Sequence, residues 1–276
     1  MLEQAEALFR AEHIEKTAHL PFSLCRVTRE ELVLHENITP RTVILFLMPY
    51  YVDTPDNFSS YAAAEDYHYF VKELSSRLLP ALEALFPSHR FLCFTDHSPI
   101  DERHAAVLSG LGVFGKNGLL LTKEYSSFQF IGEIVTDLPP EALGEYRVFP
   151  LRSCEDCGAC RRACPTGILR GEGEDCLSAI TQKKGELSAE EKALMRAHRT
   201  AWGCDACQNV CPYTLRAKAS GSIYTDIPFF KENRVTHFSS EMLSALDKQA
   251  FARRAFGWRG RRVAERNAKI LEDESS

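Results

Sequence analysis

Apolar residues run unbroken from Val43 to Met48 within TVILFLMPYY, a short continuous block that predicts a fully buried strand. From Asp66 to Phe86 the period changes. Tyr67, Phe70, Val71, Leu74, Leu78, Leu82 and Leu85 recur at helical spacing, and Pro80 within that stretch predicts a kink or a division. FLCF at Phe91 to Phe94 predicts a second strand, Asp101 to Leu111 a helix with Asp101 placed to cap it, and FQFIGEIVT a third strand. After Pro150 these long periods give way to short helices and cysteine-rich turns, with Gly171 and Gly173 between the cysteine groups. The pattern predicts an α+β fold in three parts: an α/β domain over residues 1–148, a helical cysteine domain over 149–220 and a helical extension over 221–276.

Composition narrows the class. With 45% hydrophobic and 26% charged residues over 276 positions, wholesale disorder is excluded, and a net charge of -5 excludes a uniformly basic nucleic-acid coat. The run from Val43 to Met48 is far short of the roughly 20 apolar residues that span a bilayer, and the acidic start MLEQAEALFR lacks the basic region of an export signal. The expectation is a cytoplasmic protein with no membrane partner. Eight of the ten cysteines lie between Cys154 and Cys211, a clustering that points to metal rather than to a disulfide framework, and a reducing compartment keeps such thiols available.

The spacing of those eight is specific. Cys154, Cys157, Cys160 and Cys164 with Pro165 form CxxCxxCxxxCP, and Cys204, Cys207 and Cys211 with Pro212 form CxxCxxxCP, the pattern of a ferredoxin-like domain with two [4Fe–4S] clusters. Three cysteines within seven residues let one loop wrap three corners of a cubane, while the cysteine before proline ligates the other cluster. Cluster one then takes Cys154, Cys157, Cys160 and Cys211; cluster two takes Cys164, Cys204, Cys207 and one more, for which Cys176 is the candidate. Two structural zinc sites are the plainer alternative, against which the Cys-Pro endings argue. Cys25 and Cys93, beside apolar neighbours, read as inert core thiols.

A pure electron carrier needs only the cysteine region, yet residues 1–148 precede it, so that half is expected to hold a substrate. Three segments carry its chemistry: AEDYHYF, FTDHSPIDERHAA and GLGVFGKNGLLL. With SFQFIGEIVTDLP and the eight cysteines, they resemble the cobalamin-dependent iron–sulfur epoxyqueuosine reductases, in a short form without the C-terminal helical repeats. The DYH, DxxPxxER, GKN and CxxCxxCxxxCP motifs stand in the family's order between Thr42 and Pro212.

The resemblance implies that the N-terminal domain binds cobalamin and substrate and that the reaction turns epoxyqueuosine in tRNA into queuosine. Asp96 would donate a proton as the epoxide oxygen leaves, and Tyr67, His68 and Arg103 would line the substrate and corrin pocket. A carboxyl acting as an acid at neutral pH needs a raised pKa, most simply by burial against the corrin. Ser178, in CLSAITQKKG, would contact cobalamin, with Lys183 and Lys184 meeting phosphate. Lys116 and Asn117 sit in a glycine-rich turn whose amides could approach the cofactor. Each has a plainer reading: Asp96 as a helix cap, the glycines as a tight turn, the lysines as solvated surface.

From Ala252 to Lys269 seven basic residues face Glu265 alone, a local charge of +6 in an acidic chain. With Phe256 and Trp258 interleaved, Arg259, Arg261 and Arg262 are candidates to grip a tRNA backbone while an aromatic stacks a base; a basic surface helix is the alternative. The expected partners are tRNA and an unidentified electron donor. Two rivals remain at this level: a different corrinoid reductase, dehalogenase-like, and an iron–sulfur electron carrier without a substrate of its own.

Overall fold

The computed structural model of the protein describes residues 2–36 and 38–273. The chain divides into two compact units, Met1–Pro49 with His68–Glu155, and Tyr50–Tyr67 with Asp156–Ser276.

The first unit is built on an antiparallel sheet. Its elements are α1 (Leu2–Ala11), β1 (Thr17–Pro21), α2 (Glu31–Leu34), β2 (Thr42–Pro49), α3 (Tyr67–Leu85), β3 (Phe91–Phe94), α4 (Glu102–Leu108), β4 (Val113–Phe114), β5 (Leu120–Leu121) and β6 (Gln129–Thr136). Four of the strands pair in the order β1-β2-β6-β3. β2 is buried at every position because it pairs on both edges and is covered on both faces, which is why its sequence shows no alternation. Leu45, Leu47 and Val135 of the sheet meet Ala105, Ala106 and Val107 of α4 in one core. Asp101 caps α4 as expected, its carboxylate accepting from His104 N–H at 3.1 Å. The helix from Tyr67 is not divided: α3 continues through Pro80 to Leu85. One turn earlier, the Ser75 and Ser76 hydroxyls donate to the Val71 and Glu73 carbonyls, side-chain bonding of the kind that eases a helix past an interrupted ladder.

The second unit is helical: α5 (Ala159–Ala163), α6 (Leu177–Thr181), α7 (Ala189–Ala197), α8 (Ala206–Asn209), α9 (Pro212–Ser220), α10 (Pro228–Lys231), α11 (Ser240–Ala245), α12 (Lys248–Ala252) and α13 (Arg261–Glu272). Its boundaries differ from those drawn on the sequence, because the segment 50–67 is stitched into it. The Asn57 amide donates to the Phe238 carbonyl at 2.9 Å and accepts from Phe238 N–H at 2.8 Å, and Ser59 N–H donates to the Trp202 carbonyl at 2.8 Å. The stretch after residue 220 is no separate extension either. Phe238, Phe251, Phe256 and Val263 pack with fully buried Trp202 in one apolar cluster. Among the described residues no helix is long and apolar enough to cross a membrane.

Candidate functional site

Seven of the eight clustered cysteines belong to the second unit, and local backbone rules place them. A residue before proline is driven to extended backbone, and Cys164 and Cys211 accordingly lie at ψ 116° and 130°, each turning its side chain out of the adjoining helix. Gly158 and Gly203 take positive φ, 69° and 68°, beside the cysteine turns; a Cβ on Gly203 would fall 2.5 Å from the Ser59 Cβ. α5, which carries Cys160, packs on α8, which carries Cys207. Burial pushes the Cys204 thiol up to about 11, with the Cys176 and Cys164 thiols and Asp205 among the charges acting on it, so three of the cysteines assigned to cluster two lie in mutual electrostatic reach. The Cys164 thiol is held low: burial opposes this, but the Leu169, Thr166 and Gly167 amides and the Thr166 hydroxyl outweigh it.

The donor set suits iron–sulfur clusters. None of the eight thiols is joined in a disulfide. A cubane spreads four thiolates over four irons, and eight thiolates make up two such sets. In the first unit, Cys154 Sγ accepts a hydrogen bond from Lys116 N–H at 3.3 Å, the kind of amide-to-sulfur contact that tunes a cluster's potential. The sequence reading offered Lys116 and Asn117 to a cofactor. Here the turn they form belongs to the β4–β5 hairpin: the Asn117 side-chain oxygen accepts from Leu119 N–H, and a Cβ on Gly115 would lie 2.3 Å from that oxygen.

A polar cluster missed by the sequence reading lies directly behind Cys204. Asp205, buried, accepts from the Ser59 hydroxyl, from Ser60 N–H at 2.8 Å and from the Gln208 amide at 2.8 Å. Burial raises its pKa against those three partners. An acidic residue wedged between motif cysteines was the available signal. Asp205→Ala leaves buried donors without an acceptor and is expected to cost about 2–4 kcal/mol in chemical unfolding, with Asn costing less.

In the first unit, the chain leaves β3 and turns through Asp96, whose φ of 57° lies in the left-handed region that aspartate tolerates. Asp96 N–H donates to Glu102 Oε2 at 3.2 Å. The Asp96 side chain is exposed. The carboxyls that are covered are those behind it. Burial first, then the Asp96 charge, raises Glu102 to about 7; burial first, then Glu102, raises Glu133 to about 8, with Ser98 pulling the other way. Arg103 donates from Nη1 to the Gly118 carbonyl at 2.5 Å, tying α4 to the glycine turn. Burial lifts the Cys25 and Cys93 thiols to about 12 and about 11.

The remaining candidates separate. Tyr67 is buried and His68 exposed at the start of α3. Ser178 is half-buried on α6, its Oγ within 3.2 Å of the donating Gln182 amide. Lys183 is paired with Asp175 at 2.7 Å and Glu191 at 2.6 Å, whereas Lys184 is exposed. The basic segment is also partly spent internally. Arg261 donates to the Leu243 and Leu246 carbonyls at 2.7 and 2.6 Å, Arg266 donates to the Lys183 carbonyl, and Arg254 is buried. Phe256 is fully buried and can stack no base. What points outward is Trp258, 60% exposed with Arg259 stacked on it at 3.7 Å, together with Arg262 and Lys269.

Residues 153–214 match the family described as the 4Fe-4S double cluster binding domain, so the cysteine region is a double-cluster domain. The chain is 31% identical over 228 residues to an epoxyqueuosine reductase of Leadbetterella byssophila, an alignment covering 78% of this chain and 72% of the relative. It is 32% identical over 222 residues to an epoxyqueuosine reductase of Listeria monocytogenes, covering 75% of this chain but spanning only 54% of the Listeria protein. Among solved structures, an epoxyqueuosine reductase with a tRNA-Tyr epoxyqueuosine-modified stem loop shares the fold at a TM-score of 0.75 and 22% identity, over 98% of this chain and 80% of that one.

Proposed function

The chain belongs to the epoxyqueuosine reductase family, and on that premise we propose that it reduces the epoxide of epoxyqueuosine in tRNA to the alkene of queuosine. The observation that carries this reading is the presence, in one chain, of a double-cluster domain and of Asp96 held by Glu102 at the end of β3. Removing an epoxide oxygen as water consumes two electrons and two protons, so the protein needs an electron conduit and an acid. When bound, the clusters and cobalamin supply the electrons, drawn from an external low-potential donor. The residues suit cobalamin: its periphery is rich in amides, and Ser178 retains a hydroxyl hydrogen to donate while its oxygen meets Gln182.

The protein's own groups then divide the work. Asp96 gives its proton to the departing oxygen, and Tyr67, His68 and Arg103 shape the substrate pocket, Arg103 fixed through Gly118. The eight cysteines hold the clusters in the crossed arrangement. The setting is the cytoplasm, where tRNA is found and thiols stay reduced. Anaerobic reconstitution followed by turnover on epoxyqueuosine tRNA tests the reading. Queuosine formation is expected; bound corrin without turnover points to another substrate, and no corrin binding to an electron carrier.

The tRNA surface gives a sharper expectation. Arg262→Ala with Lys269→Ala should weaken tRNA binding and flatten its salt dependence by about 0.7 to 0.9 log units per lost phosphate contact. Arg261→Ala should leave the salt slope alone and lower stability by about 1–2 kcal/mol, since its guanidinium serves the α11 carbonyls. Filter binding across a salt series separates the two.

A further inference from the structure

Glu133 is the anomaly of the first unit. It lies mid-strand on β6, directly opposite Phe94 of β3 in the antiparallel register, and it is completely buried. Neither oxygen of its carboxyl makes a well-formed hydrogen bond, although the Ser98 hydroxyl lies close enough to favour its charged form. A buried carboxylate with no cation and no well-formed hydrogen bond is costly enough that such a group keeps its proton instead. Two residues beyond Phe94 on the same strand exit stands Asp96, and α4, which packs on β6, places Glu102 so that its Oε2 receives Asp96 N–H at 3.2 Å. Three carboxyls thus step from the core to the surface: Glu133 buried, Glu102 half-buried, Asp96 exposed.

We propose that Glu133 and Glu102 are positioning residues that form a proton store behind Asp96, passing a proton outward so that this one site supplies both protons of the epoxide reduction. The proposal rests on the epoxyqueuosine reading above. Asp96 gives its proton to the epoxide oxygen; the resulting carboxylate takes the proton of Glu102, Glu102 takes that of Glu133, and Asp96 then protonates the hydroxyl that leaves as water. The two electrons come from the external donor, and solvent restores Glu133 after turnover.

The surroundings fit a store rather than an ion pair. The groups facing Glu133 are Glu102 on α4, Asp96 after β3, the Ser98 side chain, and the neutral thiols of Cys93 on β3 and Cys25 after β1. Asp101 at the α4 start and Arg103 act on Glu102, with opposite signs. Among the described residues no cation is among the groups acting on Glu133. Both glutamates hold protons near neutrality, at about 7 and about 8, against an ordinary 4.5.

The test uses full-length protein carrying Glu133→Gln or Glu102→Gln. Infrared difference spectra need no cobalamin. Between about pH 6 and about pH 9 the unsubstituted protein should lose two protonated-carboxyl bands, and each variant should lack one of them. Stability gives a second reading. Because the folded pKa of Glu133 is raised, its contribution is complete below the unfolded value of 4.5 and lost as pH rises through about 8, so Glu133→Gln should flatten the decline of the unfolding midpoint across that window. In single turnover at about pH 8, Glu133→Gln should fall roughly tenfold relative to its own rate at about pH 6.5, while the unsubstituted enzyme changes less than about twofold. Absence of the two bands overturns the store. Bands present with an unshifted rate profile overturn the relay alone. If the unsubstituted protein turns over no epoxyqueuosine tRNA, the functional reading itself fails, and the relay with it. Should Glu133→Gln not fold, the half-buried Glu102→Gln carries the same comparisons.

Discussion

Cys176→Ser is expected to bring the iron content of the reconstituted protein from eight per chain to about four, leaving the first cluster's spectrum in place. Cys176 is the one assigned ligand outside both cysteine motifs. It lies exposed at the residue before α6, and its charge reaches Cys204 together with that of Cys164. Serine offers iron a harder and far less acidic donor, so the second cubane loses a corner while Cys154, Cys157, Cys160 and Cys211 keep theirs. Turnover driven by an external donor should drop to background, because the electrons would have to cross a missing step. Cys93→Ala is the control. Cys93 lies on β3 of the first unit, away from the cysteine motifs, and the variant should retain all its iron. Full iron in Cys176→Ser would remove it from the ligand set.

The parts that were legible in the sequence are those governed by local rules. Cysteine spacing names clusters because a loop must wrap a cubane, and β2 is readable as buried because eight residues in a row avoid water on both faces. The parts that were not legible depend on neighbours distant in the chain. The pairing of Lys183 with Asp175 and Glu191 joins residues that the sequence does not mark as neighbours. Arg261 looked like part of a basic patch until the α11 carbonyls claimed it. The segment 50–67 shows no composition break that would assign it to the helical unit; hydrogen bonds such as those of Asn57 with Phe238 and Ser59 with Trp202 do. Glu133 was visible as a charge inside an otherwise apolar strand. What that charge meant required knowing that β6 is a central strand with α4 packed over it.

Asp96→Asn should lower single-turnover epoxyqueuosine reduction by a factor on the order of 10² to 10⁴, the usual worth of a positioned general acid. The substitution keeps the shape of the side chain, and asparagine tolerates the left-handed backbone at φ 57° as readily as aspartate does. Asp96 N–H, which Glu102 receives, is untouched. The plainer reading of Asp96 as a helix cap is answered by Asp101, whose carboxylate already accepts from His104 N–H at the start of α4. Stability, iron content and cobalamin binding should therefore stay at wild-type values while the chemical step slows. Starting from pre-reduced protein takes electron delivery out of the comparison, so the measured rate reports the proton. If Asp96→Asn ran at the wild-type rate under these conditions, the acid would have to be another side chain, and exposed His68 would be the next to replace.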